Sequence, residues 1–142
     1  IYTRILLDIY SSNDLNSFIN SINLTFENYT DNNYSQNAEL LFVIKNVMNL
    51  EIKFDRIINL DNIFDARLMP SLFILNEINE SIINSNQEKF LFYSLISLNG
   101  KIWNDLHPEH LKLILDGYIN YKDGSLFRDL ILEIFKSYKF II

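Results

Sequence analysis

The chain has 142 residues, of which 49% are hydrophobic and 21% are charged, with three glycines, two prolines and no cysteine. This length corresponds to one domain spanning 1–142, and the apolar content suffices for a packed core, which excludes a largely disordered chain. The lack of cysteine excludes disulfides, thiolate metal sites and a cysteine nucleophile. The net charge of −6 argues against nucleic acid as a partner, because phosphate backbones are also negatively charged.

The most apolar windows of the sequence, residues 40–47 and 90–98, are too short to span a bilayer. We therefore predict no transmembrane segment. The chain begins at Ile1 without an initiator methionine or a basic leader, and we interpret it as part of a longer protein. Because the chain has no cysteine, its cysteine content does not indicate whether the protein is located in the cytoplasm or in an oxidising compartment.

Helical periodicity dominates residues 1–60, which form the less regular half of the chain. After polar residues at 11–14, apolar residues recur at spacings of three and four, the pattern of one helix face, at Leu15, Phe18, Ile19, Ile22 and Phe26. Residues 28–37 contain four asparagines and no aliphatic residue, and we predict a loop there. Helical spacing returns at 38–49. Residues 50–60 mix a strand-like and a helix-like pattern, and we assign them to helix.

The sequence of residues 71–142 predicts two antiparallel helical hairpins. Ser71 is placed to cap the first helix, residues 84–86 break the chain, and the Asn-Gly pair at 99–100 ends the second helix. His107 and Pro108 begin the third helix, and a turn at 123–125 precedes a fourth that runs from 126 to about 140. The predicted fold class is all-α, with antiparallel hairpins stacked as a short α-solenoid or an irregular bundle.

The two predicted hairpins share a sequence pattern. Residues 91–96 (LFYSLI) and 126–131 (LFRDLI) match at four of six positions with an offset of 35 residues, close to the repeat length of helical solenoids. A chance match is the alternative, because Ile and Leu are so frequent in this chain. The pattern loosely resembles tetratricopeptide and HEAT-like α-solenoids, whose stacked hairpins bind extended partners. Ser94 and Ser97 stand where those families use smaller residues to bring helices together.

A second resemblance lies in the linker before the final hairpin. Residues 98–108 read LNGKIWNDLHP, and together with the helices that follow, up to residue 140, they resemble the C-terminal end of a group of uncharacterised alphaproteobacterial proteins. In that group LNG, W, DL and P precede the last two helices. The resemblance implies a bacterial origin, the C-terminal helical-repeat region of a larger protein, and the cell envelope or periplasm, with the cytoplasm as the alternative. It implies no catalytic residues.

Metal-capable side chains concentrate at the start of the predicted third helix. His107, His110 and Asp105 could together hold one ion, although their spacing is not that of zinc-protease motifs. Helix capping is the alternative, because His107 precedes Pro108 at the first helical position and Glu109 suits the positive end of the helix dipole. We assign no metal and no cofactor.

Three aromatic residues are candidates for contact with a partner protein. Tyr29 and Tyr34 lie among the asparagines of the predicted loop, a composition that suits adaptable contacts but also arises from biased codon usage. Trp103, the only tryptophan in the sequence, lies between a glycine-ended helix and a proline-started helix. A large ring at such a joint favours a core position over a platform for a ligand.

No motif in the sequence points to catalysis. The chain lacks a nucleophile elbow and a glycine-rich phosphate loop, and its acid pairs are typical of solvated helix faces. We therefore expect a non-catalytic helical-repeat module for protein interaction or assembly in a larger bacterial protein. The alternatives are a helical enzyme domain, such as a cell-wall-acting hydrolase, and a solenoid cap with a polar outer face. We also expect residues 140–142, which are apolar, to fold back on the last hairpin.

Overall fold

The computed structural model describes residues 36–49, 67–120 and 124–138, together with Ser17 and Asn20. Within these residues lie α1 (Gln36–Met48), α2 (Leu72–Ile83), α3 (Gln87–Leu98), α4 (Pro108–Ile119) and α5 (Gly124–Ser137), with a 3-10 turn at Trp103–Asp105. The predicted all-α fold class is confirmed, because the helices pack against one another and the described residues contain no strand.

Helix boundaries differ from the sequence expectation by a few residues. α1 begins at Gln36, so the end of the loop predicted at 28–37 is already helical, and α5 runs from Gly124 to Ser137 rather than from 126 to about 140. The first and last turns of a helix have backbone groups without hydrogen-bond partners inside the helix, so the position of a helix end shifts easily by a residue or two. Ser17 and Asn20 are helical and exposed, as expected for polar positions of the helix predicted near 15–26. The predictions for the remainder of 1–35, for 50–66 and for 140–142 lie outside the described residues.

Side-chain caps explain where the helices of the α2–α3 hairpin begin and end. Ser71 Oγ and Asn86 Oδ1 accept backbone N–H groups in the first turns of α2 and α3, at 3.5 and 3.0 Å. Asn99 and Gly100 end α3 in left-handed conformations, with φ values of 48° and 69°. Ser71, Asn99 and Gly100 confirm the predicted capping residues, and Asn86, which the sequence assigned only to a break between helices, caps the start of α3.

Helix α4 lies at the centre of the packing that the structure describes. It contacts α1, α2 and α5, and its buried residues Leu111, Ile114 and Leu115 follow the spacing of three and four. The same spacing on α1 and α5 supplies most of the remaining core, which comprises Leu40, Val43, Ile44, Val47, Leu106, Phe127, Ile131, Leu132, Ile134, Phe135 and Tyr138. The α2–α3 hairpin meets α4 partly through Phe90, whose ring centroid lies 5.3 Å from that of Tyr118.

A short segment before α2 connects α1 to the linker that precedes α4. Leu68 exchanges backbone hydrogen bonds of 2.8 and 3.0 Å with residues 105 and 107, which forms an isolated parallel bridge with Leu106. Beside it, the Arg67 guanidinium donates to the Glu39 carboxylate of α1 at 2.7 Å. These contacts fix the start of α4 relative to α1.

Candidate interaction surface

Both histidines have structural roles at the start of α4. His107 Nδ1 accepts the backbone N–H of Glu109 at 3.2 Å, which is the predicted capping contact. His110 is fully buried, and its Nε2 lies 2.8 Å from Ser97 Oγ of α3. Asp105 is exposed. Across the ranges that the structure describes, no three His, Asp or Glu side chains come together in a way that could hold a metal ion.

His110 belongs to a buried polar chain that joins α4 to α3. Ser97 Oγ lies 2.7 Å from the Ser94 carbonyl oxygen, which can only accept, so the Ser97 hydroxyl donates to it. The imidazole then donates its Nε2–H to Ser97 Oγ. Burial lowers the pKa of His110 to about 4; the backbone of Leu68 opposes this shift, and the charge of His107 adds to it. His110 is therefore neutral near pH 7.

Trp103 is the one predicted contact residue that lies among the described residues. It opens the 3-10 turn, is partly buried and packs against the core of α1, α4 and α5. The turn is fixed to α5 by Ser137, whose hydroxyl accepts the backbone N–H of Asn104 at 3.3 Å. This geometry is that of a joint between helices, the position that the sequence favours for the ring. Tyr29 and Tyr34 lie outside the described residues.

Helix α3 exposes three bulky apolar side chains to solvent. Its buried residues are Phe90, Ser94 and Ser97, two of which are small and polar. Phe92, Leu95 and Ile96 are 60%, 68% and 44% exposed, and their spacing places them on one helix face. A helix on the surface of a monomeric protein ordinarily buries its apolar face and exposes its polar face. On α3, by contrast, two of the three buried residues are polar while three bulky apolar residues are exposed.

The apolar face of α3 continues onto α2 through aromatic contacts. The Tyr93 ring packs edge-to-face against Phe92 at 5.3 Å and against Phe73 of α2 at 6.2 Å between centroids. Phe73 is 63% exposed. We call Phe73, Phe92, Tyr93, Leu95 and Ile96 the hairpin patch. Fully exposed side chains of this size present roughly 200 Å² each, so the four most exposed members present roughly 500 Å², towards the upper end for the largest patch on a monomer.

Charged residues of both signs border the hairpin patch. Lys89 of α3 pairs with Glu77 of α2 at 2.8 Å and more loosely with Glu80 at 3.7 Å. Glu88 in the first turn of α3 and Lys101 beyond its C-terminal end are exposed. An apolar centre with a charged rim is the usual composition of a protein–protein interface.

A small open depression lies at the junction of α2, α3 and α4. Its empty volume is about 330 Å³, and its lining includes Ser81, Asn86, Phe90, Gly117 and Asn120. None of the residues that line it is Asp, Glu, His or Lys. The depression therefore offers no general acid or base for catalysis.

Comparison of the chain with protein-family models, curated proteins and solved structures found no match. In the portions of the chain that the structure describes, no helix combines the length and the apolar character needed to cross a membrane.

The hairpin patch is the feature that sequence reasoning missed. The match between 91–96 and 126–131 suggests equivalent positions, yet Phe92 is 60% exposed while its counterpart Phe127 is 2% exposed. Ile96 and Ile131 differ in the same way, at 44% and 0%. The two segments present opposite faces to the core, so their similarity does not correspond to one packing role. A signal was present, because α3 has apolar residues all around it, which is typical of a helix covered on both sides.

Proposed function

We propose that this chain is a non-catalytic helical-hairpin module for protein interaction or assembly within a larger bacterial protein. The observation that carries the proposal is the hairpin patch, in which α3 exposes Phe92, Leu95 and Ile96. Covering apolar surface is favourable by roughly 25 cal/mol per Å², so a partner that packs on this patch stabilises the assembly. Contiguous apolar patches with a charged rim are typical of interaction sites.

The alternative functions fit the described surface less well. A solenoid cap would expose a polar outer face, whereas the outer face of α3 is apolar. A helical hydrolase needs a carboxylate in an apolar cleft, and the depression at the α2–α3–α4 junction has none in its lining. The helical-repeat part of the proposal is supported by the contacts within α2–α3 and within α4–α5, two pairs of helices that follow one another along the chain.

Site-specific photocrosslinking in the native cell tests this function. A photoreactive phenylalanine analogue at position 92 places the reactive group in the hairpin patch with little change in shape. The same analogue at Glu133, an exposed position on α5, is the matched control. We expect crosslinked species at position 92 to exceed those at position 133 severalfold, because a bound partner covers the patch. Background-level crosslinking at both positions would refute the interaction function.

A further inference from the structure

We propose that the occupant of the hairpin patch is a second copy of this chain, with the two α3 helices packed antiparallel about a two-fold axis. The inference rests on the proposed function, because it names the partner of the same surface. A two-fold interface uses the same residues on both copies, so the surface must be complementary to itself. The hairpin patch meets this requirement in its charge pattern and in its size.

The charges at the two ends of α3 are complementary in an antiparallel pair. Glu88 and Lys101 are exposed, and the midpoint between them lies near residues 94–95. The midpoint of the apolar stripe formed by Phe92, Leu95 and Ile96 lies at the same place. In the proposed antiparallel pair, a two-fold axis there places the end of α3 that carries Glu88 beside the end that precedes Lys101 in the other copy, and it stacks the two apolar stripes. A parallel pair would instead bring Glu88 against Glu88.

The size of the patch also suits a pair of copies. A standard stable interface buries about 800 Å² on each partner, and homodimer interfaces are roughly 65% apolar at their core. The hairpin patch supplies roughly 500 Å² of mostly apolar surface, so the proposed interface needs roughly 300 Å² more from the rim around it.

The sign of the rim charges favours a second copy over a basic partner helix. The net charge of −6 on each chain opposes pairing at long range, but physiological salt screens charges beyond about 8 Å. The charges at the contact itself therefore determine whether the two surfaces attract or repel each other. A basic helix would meet Glu88 favourably but would repel Lys101, whereas a second copy satisfies both residues.

Sedimentation equilibrium of the 142-residue chain, from about 0.1 to 100 µM, tests the proposal directly. We expect a reversible dimer with a dissociation constant in the micromolar range. Phe92→Glu places two carboxylates in the apolar centre, and we expect dimerisation to weaken by at least about 100-fold. Leu126→Glu, at a position on α5 that is 42% exposed, is the matched control and should leave dimerisation unchanged. Circular dichroism establishes that both variants keep their helices.

Charge reversal tests the antiparallel orientation. Glu88→Lys and Lys101→Glu each place like charges opposite one another twice in their own homodimer, and each should weaken dimerisation by roughly 5- to 30-fold. An equal mixture of the two variants restores opposite charges at both contacts, so mixed dimers should form with nearly the wild-type affinity. Equal dissociation constants for the mixture and the separate variants would overturn the orientation.

The outcomes separate this inference from the function on which it rests. A chain that stays monomeric throughout the concentration range, or a dimer that Phe92→Glu does not weaken, overturns the second copy as the occupant. If position 92 then crosslinks to a different protein, the interaction function stands and only the partner is wrong. A monomer without crosslinks at position 92 refutes both proposals.

Discussion

Burial of His110 gives the protein a pH-dependent stability. The imidazole is completely buried in α4, where its Nε2 bonds to Ser97 Oγ. Its sequence position could have predicted burial rather than metal binding, because residue 110 lies four residues before Ile114 and next to Leu111, both of which are core residues. The identity of its partner on α3 could not be predicted, since thirteen residues separate the two positions.

We predict that the free energy of unfolding falls as the pH decreases from about 7 to about 4. The pKa of His110 is about 4 in the folded protein and about 6.5 in the unfolded chain. Within this window the unfolded state binds a proton that the folded state does not, so acid favours unfolding. Above pH 7 both states are neutral, and well below pH 4 both are charged, so the effect saturates. Urea denaturation should show a loss on the order of 2 to 3 kcal/mol.

Two variants separate this effect from the titration of carboxylates. His110→Gln keeps an N–H donor for Ser97 Oγ but does not titrate, so its stability should depend less on pH between 7 and 5 than that of the wild type. His107→Asn replaces the chain's other histidine with a residue that also caps helices, and it should retain the wild-type dependence. The explanation is wrong if wild type and His110→Gln lose stability in parallel.

The contact of the Phe90 ring of α3 with α4 depends on Gly117. A methyl group at this position would overlap the ring of Phe90. The chain has only two alanines and three glycines, and the structure places Ser81, Ser94, Ser97 and Gly117 in buried positions on α2, α3 and α4. The sequence identified Ser94 and Ser97 as candidates for a helix crossing. It did not identify Gly117, because its partner on α3 is distant in sequence.

We predict that Gly117→Ala destabilises the protein by about 1 to 3 kcal/mol, because overpacking displaces the Phe90 ring. Helix propensity alone predicts the opposite sign, since alanine in a helix is favoured over glycine by about 1 kcal/mol. Thermal and urea denaturation measure the difference. Phe90→Leu removes ring atoms from the contact, so the double variant should lose less than the sum of the single variants. A stabilised Gly117→Ala protein would show that the two helices are farther apart.

The orientation of α3 in the fold could not be predicted from the sequence of that helix alone. The sequence predicted the extent of α3 to within a residue and its C-terminal cap at Asn99, because those signals are local, whereas it assigned Asn86 only to a break between helices. It did not predict which side of α3 faces the core. Phe92, Leu95 and Ile96 form a better apolar stripe than Phe90, Ser94 and Ser97, yet the second set is buried.

Helix α4 makes the described helices interdependent. It contacts α1, α2 and α5, so a defect at its centre weakens several interfaces at once. Ile114 is 1% exposed, and we predict that Ile114→Ala lowers the free energy of unfolding by about 2 to 5 kcal/mol. Fluorescence of Trp103, the single tryptophan, reports on the core edge, and far-ultraviolet circular dichroism reports on all helices. Both transitions should shift together.

The matched control for this variant is Leu126→Ala, at a position that is 42% exposed, where we expect a change of no more than about 0.5 kcal/mol. Fluorescence and circular dichroism could instead give separate unfolding transitions for Ile114→Ala. In that case the α2–α3 hairpin unfolds independently of the core, and the contacts of α4 do not make the described helices unfold as one unit.

The sequence by itself determined the all-α class and most helix ends within 71–120, because helical spacing and capping act over three or four residues. Only the tertiary structure decided which face of α3 points outward. When a helix has apolar residues all around it, the spacing of those residues does not determine which face is buried. The space that the neighbouring helix leaves determines it instead. On α4, Gly117 leaves room for the Phe90 ring and His110 bonds to Ser97. Phe92, Leu95 and Ile96 of α3 are therefore left on the surface, where they form part of the hairpin patch.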